Sequence, residues 1–157
     1  MRKIFKALVI ICLIIYLYLA LRLLIFRNTM QFSYILENIG RPRYRGSYNL
    51  VPFRTINAYI NAIADRSMSR SIPIQNIVGN VLAFMPLGFF LPFFIKKMAE
   101  LRRYAITVSI SIMAVELLQF ILMVGSMDVD DFILNLAGAL IGFVICKLKP
   151  ISKLMMI

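Results

Sequence analysis

The chain has no histidine and no tryptophan. Without histidine there is no Ser-His-Asp triad, no phosphohistidine transfer and no His-ligated zinc. Only two cysteines occur, Cys12 and Cys146, each inside an apolar run and neither with a CxxC partner. No disulfide framework or zinc site follows from them, and both fit inert packing or lipid-facing roles. Acids are also scarce: seven Asp and Glu stand against 18 Lys and Arg, for a net charge of +11. Charged residues make up 16% of the 157 residues and hydrophobic ones 61%. Soluble domains hold about 25% charged and about 45–50% apolar residues, so this is the composition of a membrane protein. The length corresponds to about one domain. Nothing in the composition calls for a metal or cofactor.

What is present is apolar length. Four runs approach the roughly 20 residues that cross a bilayer, at about 4–26, 77–95, 104–124 and 132–148. The expected fold is an all-α membrane protein of four transmembrane helices in a single domain. The basic start Arg2-Lys3-Ile4-Phe5-Lys6 resembles a signal peptide, but the apolar stretch is too long and no small-x-small site follows. An uncleaved helix is expected. Lys and Arg in the short segments set the orientation. Arg2, Lys3 and Lys6, then Lys96, Lys97, Arg102 and Arg103, then Lys147, Lys149 and Lys153 place both termini and the 96–103 hairpin in the cytoplasm. The 125–131 hairpin holds three acids and no base, and falls outside. A multi-pass membrane protein with both termini on the cytoplasmic side is the expected arrangement.

The segment 27–75 breaks the pattern with seven basic residues, all Arg: Arg27, Arg41, Arg43, Arg45, Arg54, Arg66 and Arg70. With Arg22 they face six acids on the outer side: Glu37, Asp65, Glu116, Asp128, Asp130 and Asp131. The large positive excess therefore belongs to the cytoplasmic side, where it meets anionic lipid and not nucleic acid. The outer Arg groups fit either of two roles: pairing with the outer acids, or docking anionic head groups through their planar forks. Apolar positions at Phe53, Ile56, Tyr59/Ile60 and Ile63, with polar residues between them, predict an amphipathic helix of about 13 residues starting at or just after Pro52. It is too short to span and is expected at the outer interface. Ser67–Pro73 is expected to be a second break.

Polar groups within the spans need a partner or a purpose. Asn76, Asn80 and Ala83 share one face of span two, where Pro86 and Gly88 are expected to bend the helix. Glu116 and Gln119 share a face of span three. Asp128, Asp131, Asn135, Gly138 and Gly142 form a stripe on span four, ending in a Gly-x-x-x-Gly packing motif. At 1.5 Å per residue Glu116 lies about 12 Å deep, and three helices point amides and carboxylates into the outer half. A carboxylate so deep either neutralises or finds Arg. The Asp128-x-Asp130-Asp131 cluster suits an N-terminal cap of span four, and alternatively a divalent cation.

Several of these stretches together resemble the VanZ-like family of bacterial membrane proteins. They are Asn49-Leu50-Val51-Pro52-Phe53 with Thr55-Ile56; Asn76-x-x-Gly79-Asn80 followed by Phe84-Met85-Pro86-Leu87-Gly88; Glu116-x-x-Gln119; and Asp128-x-x-Asp131-x-x-x-Asn135-x-x-Gly138. The resemblance extends over about residues 45–145. It departs at Gly125, where the family commonly has Arg; another arginine, such as Arg54, Arg66 or Arg70, would have to replace it. The resemblance implies a cell-envelope role, and the named member is associated with teicoplanin resistance.

Two readings compete. In the first, a non-enzymatic envelope protein binds an anionic lipid or lipid-linked wall precursor in an outer-leaflet groove. The Arg segment, with Arg54 in it, and the Asn80/Glu116/Gln119/Asn135 groups would grip that ligand. In the second, an intramembrane enzyme uses Glu116 as acid/base, with Asp128 and Asp131 orienting substrate or holding a metal. A transporter is disfavoured for want of an inverted repeat.

Overall fold

The computed structural model describes residues 2–24, 48–122 and 126–155. Seven α-helices are described: α1 (Arg2–Leu24), α2 (Arg54–Ala64), α3 (Ser71–Phe84), α4 (Leu87–Phe94), α5 (Leu101–Leu122), α6 (Val129–Cys146) and α7 (Lys149–Met155). A 3₁₀ turn, Lys96–Ala99, joins α4 to α5. Two-residue strands β1 (Tyr48–Asn49) and β2 (Met127–Asp128) pair in parallel. Four segments are long and apolar enough to cross a membrane: Lys3–Arg22, Ser71–Phe94, Leu101–Ile121 and Val129–Cys146. The all-α membrane architecture expected from composition is the one observed.

The second span differs from its expected bounds. It starts at Ser71, because Pro73 falls in the first helical turn, where a missing N–H costs nothing. It is also two helices rather than one. Pro86 cannot donate to Leu82, and the chain turns through Met85-Pro86 before α4 resumes, with Gly88 N–H bonding Met85 C=O at 3.0 Å. The turn leaves carbonyls exposed inside a bilayer, where an unmet polar group is costly. Tyr16 of α1 answers one of them, its hydroxyl donating to Ala83 C=O at 2.9 Å. Tyr16 also lies against Phe90 (5.5 Å between centroids), and Phe5 against Phe93 (6.0 Å). These contacts run α1 antiparallel to α3–α4. The basic residues of α1's first turns thus share an end with Lys96, Lys97, Arg102 and Arg103.

The centre of the bundle is α6, which packs on α3, α4 and α5. Close approach to α3 and α4 is possible because α6 has no side chain where they cross. A Cβ on Gly138 would overlap the Val81 carbonyl, and one on Gly142 the Met85 carbonyl. Gly88 of α4 in turn rests on the Gly142–Phe143 peptide. The Gly-x-x-x-Gly stripe is thus spent within the bundle. The buried core comprises Phe84, Tyr104, Val108, Ile112, Ala139 and Phe143. Tyr104 stacks on Phe143 with centroids 4.6 Å apart, and its hydroxyl donates to Ala139 C=O at 2.8 Å. By contrast, none of the α1 residues whose side chains are described is buried.

Candidate functional site

The acidic N-terminus of α6 gathers three other elements. Span four begins earlier than hydropathy alone suggests, at Val129, because Asp128 caps it: its side chain accepts from Asp130 N–H at 2.9 Å. The same carboxylate accepts from Asn49 Nδ2 at 3.0 Å and Thr55 Oγ1 at 2.6 Å. Asn49 Nδ2 also reaches Thr55 Oγ1 at 3.1 Å, and its Oδ1 accepts from Val51 N–H at 3.1 Å. The Asn-x-Val-Pro-Phe-x-Thr stretch is therefore a turn tied by its own polar side chains to the cap of another helix.

Asp130 completes the arrangement and is fully buried (0% exposed). Its Oδ1 accepts from Phe53 N–H at 2.5 Å, and its Oδ2 from Thr55 N–H at 2.7 Å and Ile56 N–H at 3.1 Å. Those amides are the N-cap, second and third positions of α2, which has no side-chain cap of its own. A helix N-terminus attracts anions through its free N–H groups and dipole, and here the anion is a carboxylate from a different helix. Pro52 and Phe53 shape the approach: Phe53 sits at φ 66, a left-handed conformation costing a side-chain-bearing residue about 1–3 kcal/mol. The hydrogen bond from its N–H to Asp130 offsets that cost.

Below this clasp the spans are joined by amides. Asn80 of α3 donates to Asp131 of α6 at 2.5 Å. Asn135 of α6 donates to Glu116 Oε1 of α5 at 3.2 Å. Glu116 and Asn135 are 5% and 3% exposed, and Glu116 Oε2 and Asn135 Oδ1 are buried without a hydrogen-bond partner. Gln119 is half-buried one turn further along α5.

Of the expected set Asn80, Glu116, Gln119 and Asn135, Glu116 and Asn135 bond to each other, Asn80 bonds to Asp131, and Gln119 lies half-buried one turn away. Of the two outcomes expected for Glu116, pairing with arginine is not found among the described residues; its partner is the Asn135 amide. Asn76 does not join the network; its Nδ2 turns back to Ile72 C=O of its own helix at 2.8 Å. Both oxygens of Asp128 and of Asp130 are taken by amides and a hydroxyl. Among the described residues no group of three or more acidic, His or Cys side chains is arranged to hold a metal. Arg54, Arg66 and Arg70 are exposed and make no ion pair among the described residues, so none replaces a family arginine at the acidic stripe. The described ion pair is Arg103–Glu100 at 2.8 Å, at the opposite end. Asp130, Asp131 and Glu116 point into helix contacts, while Arg54 at the start of α2 and Arg66 and Arg70 after it are exposed. Gly125, Glu37, Arg27, Arg41, Arg43 and Arg45 lie outside the described residues.

Spacing placed Asp130 only in the acidic cluster at the start of span four, and its hold on α2 was not expected. Asp131 and Asn135 bond to α3 and α5, whereas Asp128 and Asp130 bond to the 49–56 segment. The signal was nonetheless there: an acid in a helix's first turn, and a second helix, α2, with no Ser, Thr, Asp or Asn to cap it.

Around the clasp lies an exposed surface of mixed character. Leu50, Val51, Phe53 and Ile60 are all more than half exposed, with exposed Arg54 at the start of α2 and exposed Arg66 and Arg70 after its end. Separately, an apolar groove of about 430 Å³ runs along α5 past Ile110, Met113 and Leu117 to Phe132 of α6.

A family model described as VanZ/LLP1 matches residues 13–150. The chain is 31% identical over 68 residues to a protein of Enterococcus faecium named Protein VanZ, covering 43% of this chain and 42% of that protein. The match therefore spans less than half the length of the curated relative. No solved structure matches the chain significantly.

Proposed function

The chain belongs to the VanZ/LLP1 family, and from that premise we propose that it is a non-enzymatic envelope membrane protein whose clasped helix α2 binds anionic lipid head groups. The head group is that of a membrane lipid or a lipid-linked wall precursor. In this reading both termini are cytoplasmic and α2 lies in the outer interface of the bacterial cytoplasmic membrane.

One observation carries the proposal: Arg54, Arg66 and Arg70 are exposed, with no acidic partner among the described residues, on and after a helix locked to the bundle that bears exposed apolar side chains. An apolar face with unpaired guanidinium groups suits an interface of acyl chain and phosphate. The buried amides do not serve as ligand contacts in this reading, since Asn80, Glu116 and Asn135 bond across helices. An acid–base role for Glu116 has less support, because its carboxyl is buried within the α5–α6 contact.

The test is thermal unfolding in nanodiscs. Phosphatidylglycerol added to phosphatidylcholine discs raises the melting temperature, and high salt reduces the gain. Arg54→Ala/Arg66→Ala/Arg70→Ala in one chain removes most of that gain while melting normally in phosphatidylcholine alone. A gain that survives all three substitutions sinks the assignment to α2.

The finer part of the proposal is a contribution to teicoplanin resistance. Expression in a sensitive Gram-positive host is expected to raise the teicoplanin inhibitory concentration and leave that of vancomycin unchanged, at matched membrane levels. An unchanged teicoplanin value with well-inserted protein removes resistance from the reading.

A further inference from the structure

The contact between Glu116 and Asn135 has a donor deficit. Asn135 gives one N–H to Glu116 Oε1, and the remaining two oxygens, Glu116 Oε2 and Asn135 Oδ1, are buried without a donor. Both side chains are more than nine-tenths buried, in a helix pair that crosses a bilayer. A carboxylate next to an amide carbonyl in such a place leaves two acceptors facing each other.

Few partners fit. No Lys or Arg occurs in the described helices α3, α4, α5 beyond Arg103, or α6. The charged groups that act on Glu116 from the packed elements are Asp131 and Asp128 of α6, both acids, and α3 carries no charged residue. Asp130 is committed to α2. A calcium ion needs about 6–8 oxygens, and magnesium asks for a near-ideal octahedron; two oxygens on a closed helix contact supply neither. A single proton needs two.

We propose that Glu116 and Asn135 form a proton-binding site, with the proton on Glu116 Oε2 donated to Asn135 Oδ1. Together with the Asn135 Nδ2–H to Oε1 bond this closes a ring of two antiparallel hydrogen bonds between acid and amide. It satisfies both orphaned oxygens and joins α5 to α6 without a buried charge. When the proton leaves, the ring opens, a negative charge faces the Asn135 carbonyl and the α6 acids, and the α5–α6 contact loosens. The site thus couples protonation to the packing of the helix that carries the Asp128/Asp130 clasp. It stands independently of the lipid-binding proposal.

The chain has three glutamates, Glu37, Glu100 and Glu116, so glutamate labelled with ¹³C at the side-chain carboxyl reports on the site without mutation. The full chain in nanodiscs is expected to show one carboxylic-acid C=O stretch at neutral pH, shifted by the label and lost in Glu116→Gln. The amide of that variant presents the same donor and acceptor as the protonated acid, so Glu116→Gln melts with wild type at neutral pH. As pH rises, wild type loses its proton and its melting temperature falls away from that of the variant. Asn135→Leu, which removes the acceptor, moves the C=O band to higher frequency. Three results would each overturn the proposal. One is a fully ionised glutamate spectrum at neutral pH. Another is an acid band that persists in Glu116→Gln. The third is a folded Glu116→Gln chain that melts well below wild type at neutral pH.

Discussion

Asp130→Asn is expected to lower the stability of the detergent-solubilised chain by about 3 kcal/mol, despite keeping the shape of the side chain. Hydrogen bonds to a charged group contribute about 1.5–3 kcal/mol each, and this carboxylate receives three from Phe53, Thr55 and Ile56. An asparagine retains one acceptor oxygen and aims an N–H₂ donor at backbone donors. It also withdraws the negative charge from the N-terminus of α2. Asp130→Ala is expected to cost a similar amount. Both variants should also expose the 48–65 segment to limited proteolysis at concentrations that leave wild type intact. Asp65→Asn, at an exposed carboxylate, is the control and should change neither melting nor cleavage. If Asp130→Asn melts with wild type, the clasp does not hold α2.

The second large effect is at the glycine stripe, where two glycines of neighbouring helices predict opposite outcomes. A Cβ at Gly138 meets the Val81 backbone, which cannot rotate away as a side chain would. Gly138→Ala must push α6 from α3, and overpacking of this kind costs about 1–3 kcal/mol, occasionally more. The separation also strains the Asn80–Asp131 bond, so the upper part of that range is expected. Gly142→Ala meets Met85 C=O in the same way. Gly79→Ala has nothing within 4 Å of the added carbon and gains up to about 1 kcal/mol of helix propensity. A thermal-shift comparison of the three in one detergent decides the matter: equal melting temperatures for Gly79→Ala and Gly138→Ala would contradict the packing described.

Hydropathy and charge made the four spans legible, and the 3.6-residue period made α2 legible, because each is set by residues within a single element. The polar convergence of Asn80, Glu116 and Asn135 was also visible, since depth along a helix follows from counting residues. What could not be read was who pairs with whom. Pairing with the outer acids was one of two roles open to the arginines, and capping of span four one of two open to the acids. The structure satisfies the acids with backbone amides, a threonine hydroxyl and asparagines, and leaves Arg54, Arg66 and Arg70 facing outward. That outcome depends on the rotation of each helix about its axis, which packing at Gly138 and Gly142 sets and no local pattern encodes. Asn76 shows the same limit, since it shares a face with Asn80 yet bonds to its own helix. Pro86 announced a bend, while the carbonyl that Tyr16 covers was specified only by where α1 lies.

The short ladder between β1 and β2 joins Tyr48 to Met127 and Asn49 to Asp128, and this imposes an order on assembly. A growing chain delivers residues 48–56 first, then the second and third crossings, and only then Asp128 and Asp130. Until the fourth crossing is made, α2 has uncapped amides and Phe53 has no anion to hold its backbone. Closing so long a loop adds little entropy cost beyond that of a shorter one, about 0.6 kcal/mol per doubling of length, so the delay is one of timing. The fourth of these spans is the one that fastens the surface segment made before it. A ribosome-bound chain halted after α5 should therefore present α2 as a loose segment, and the arrival of α6 is the event that sets it in place.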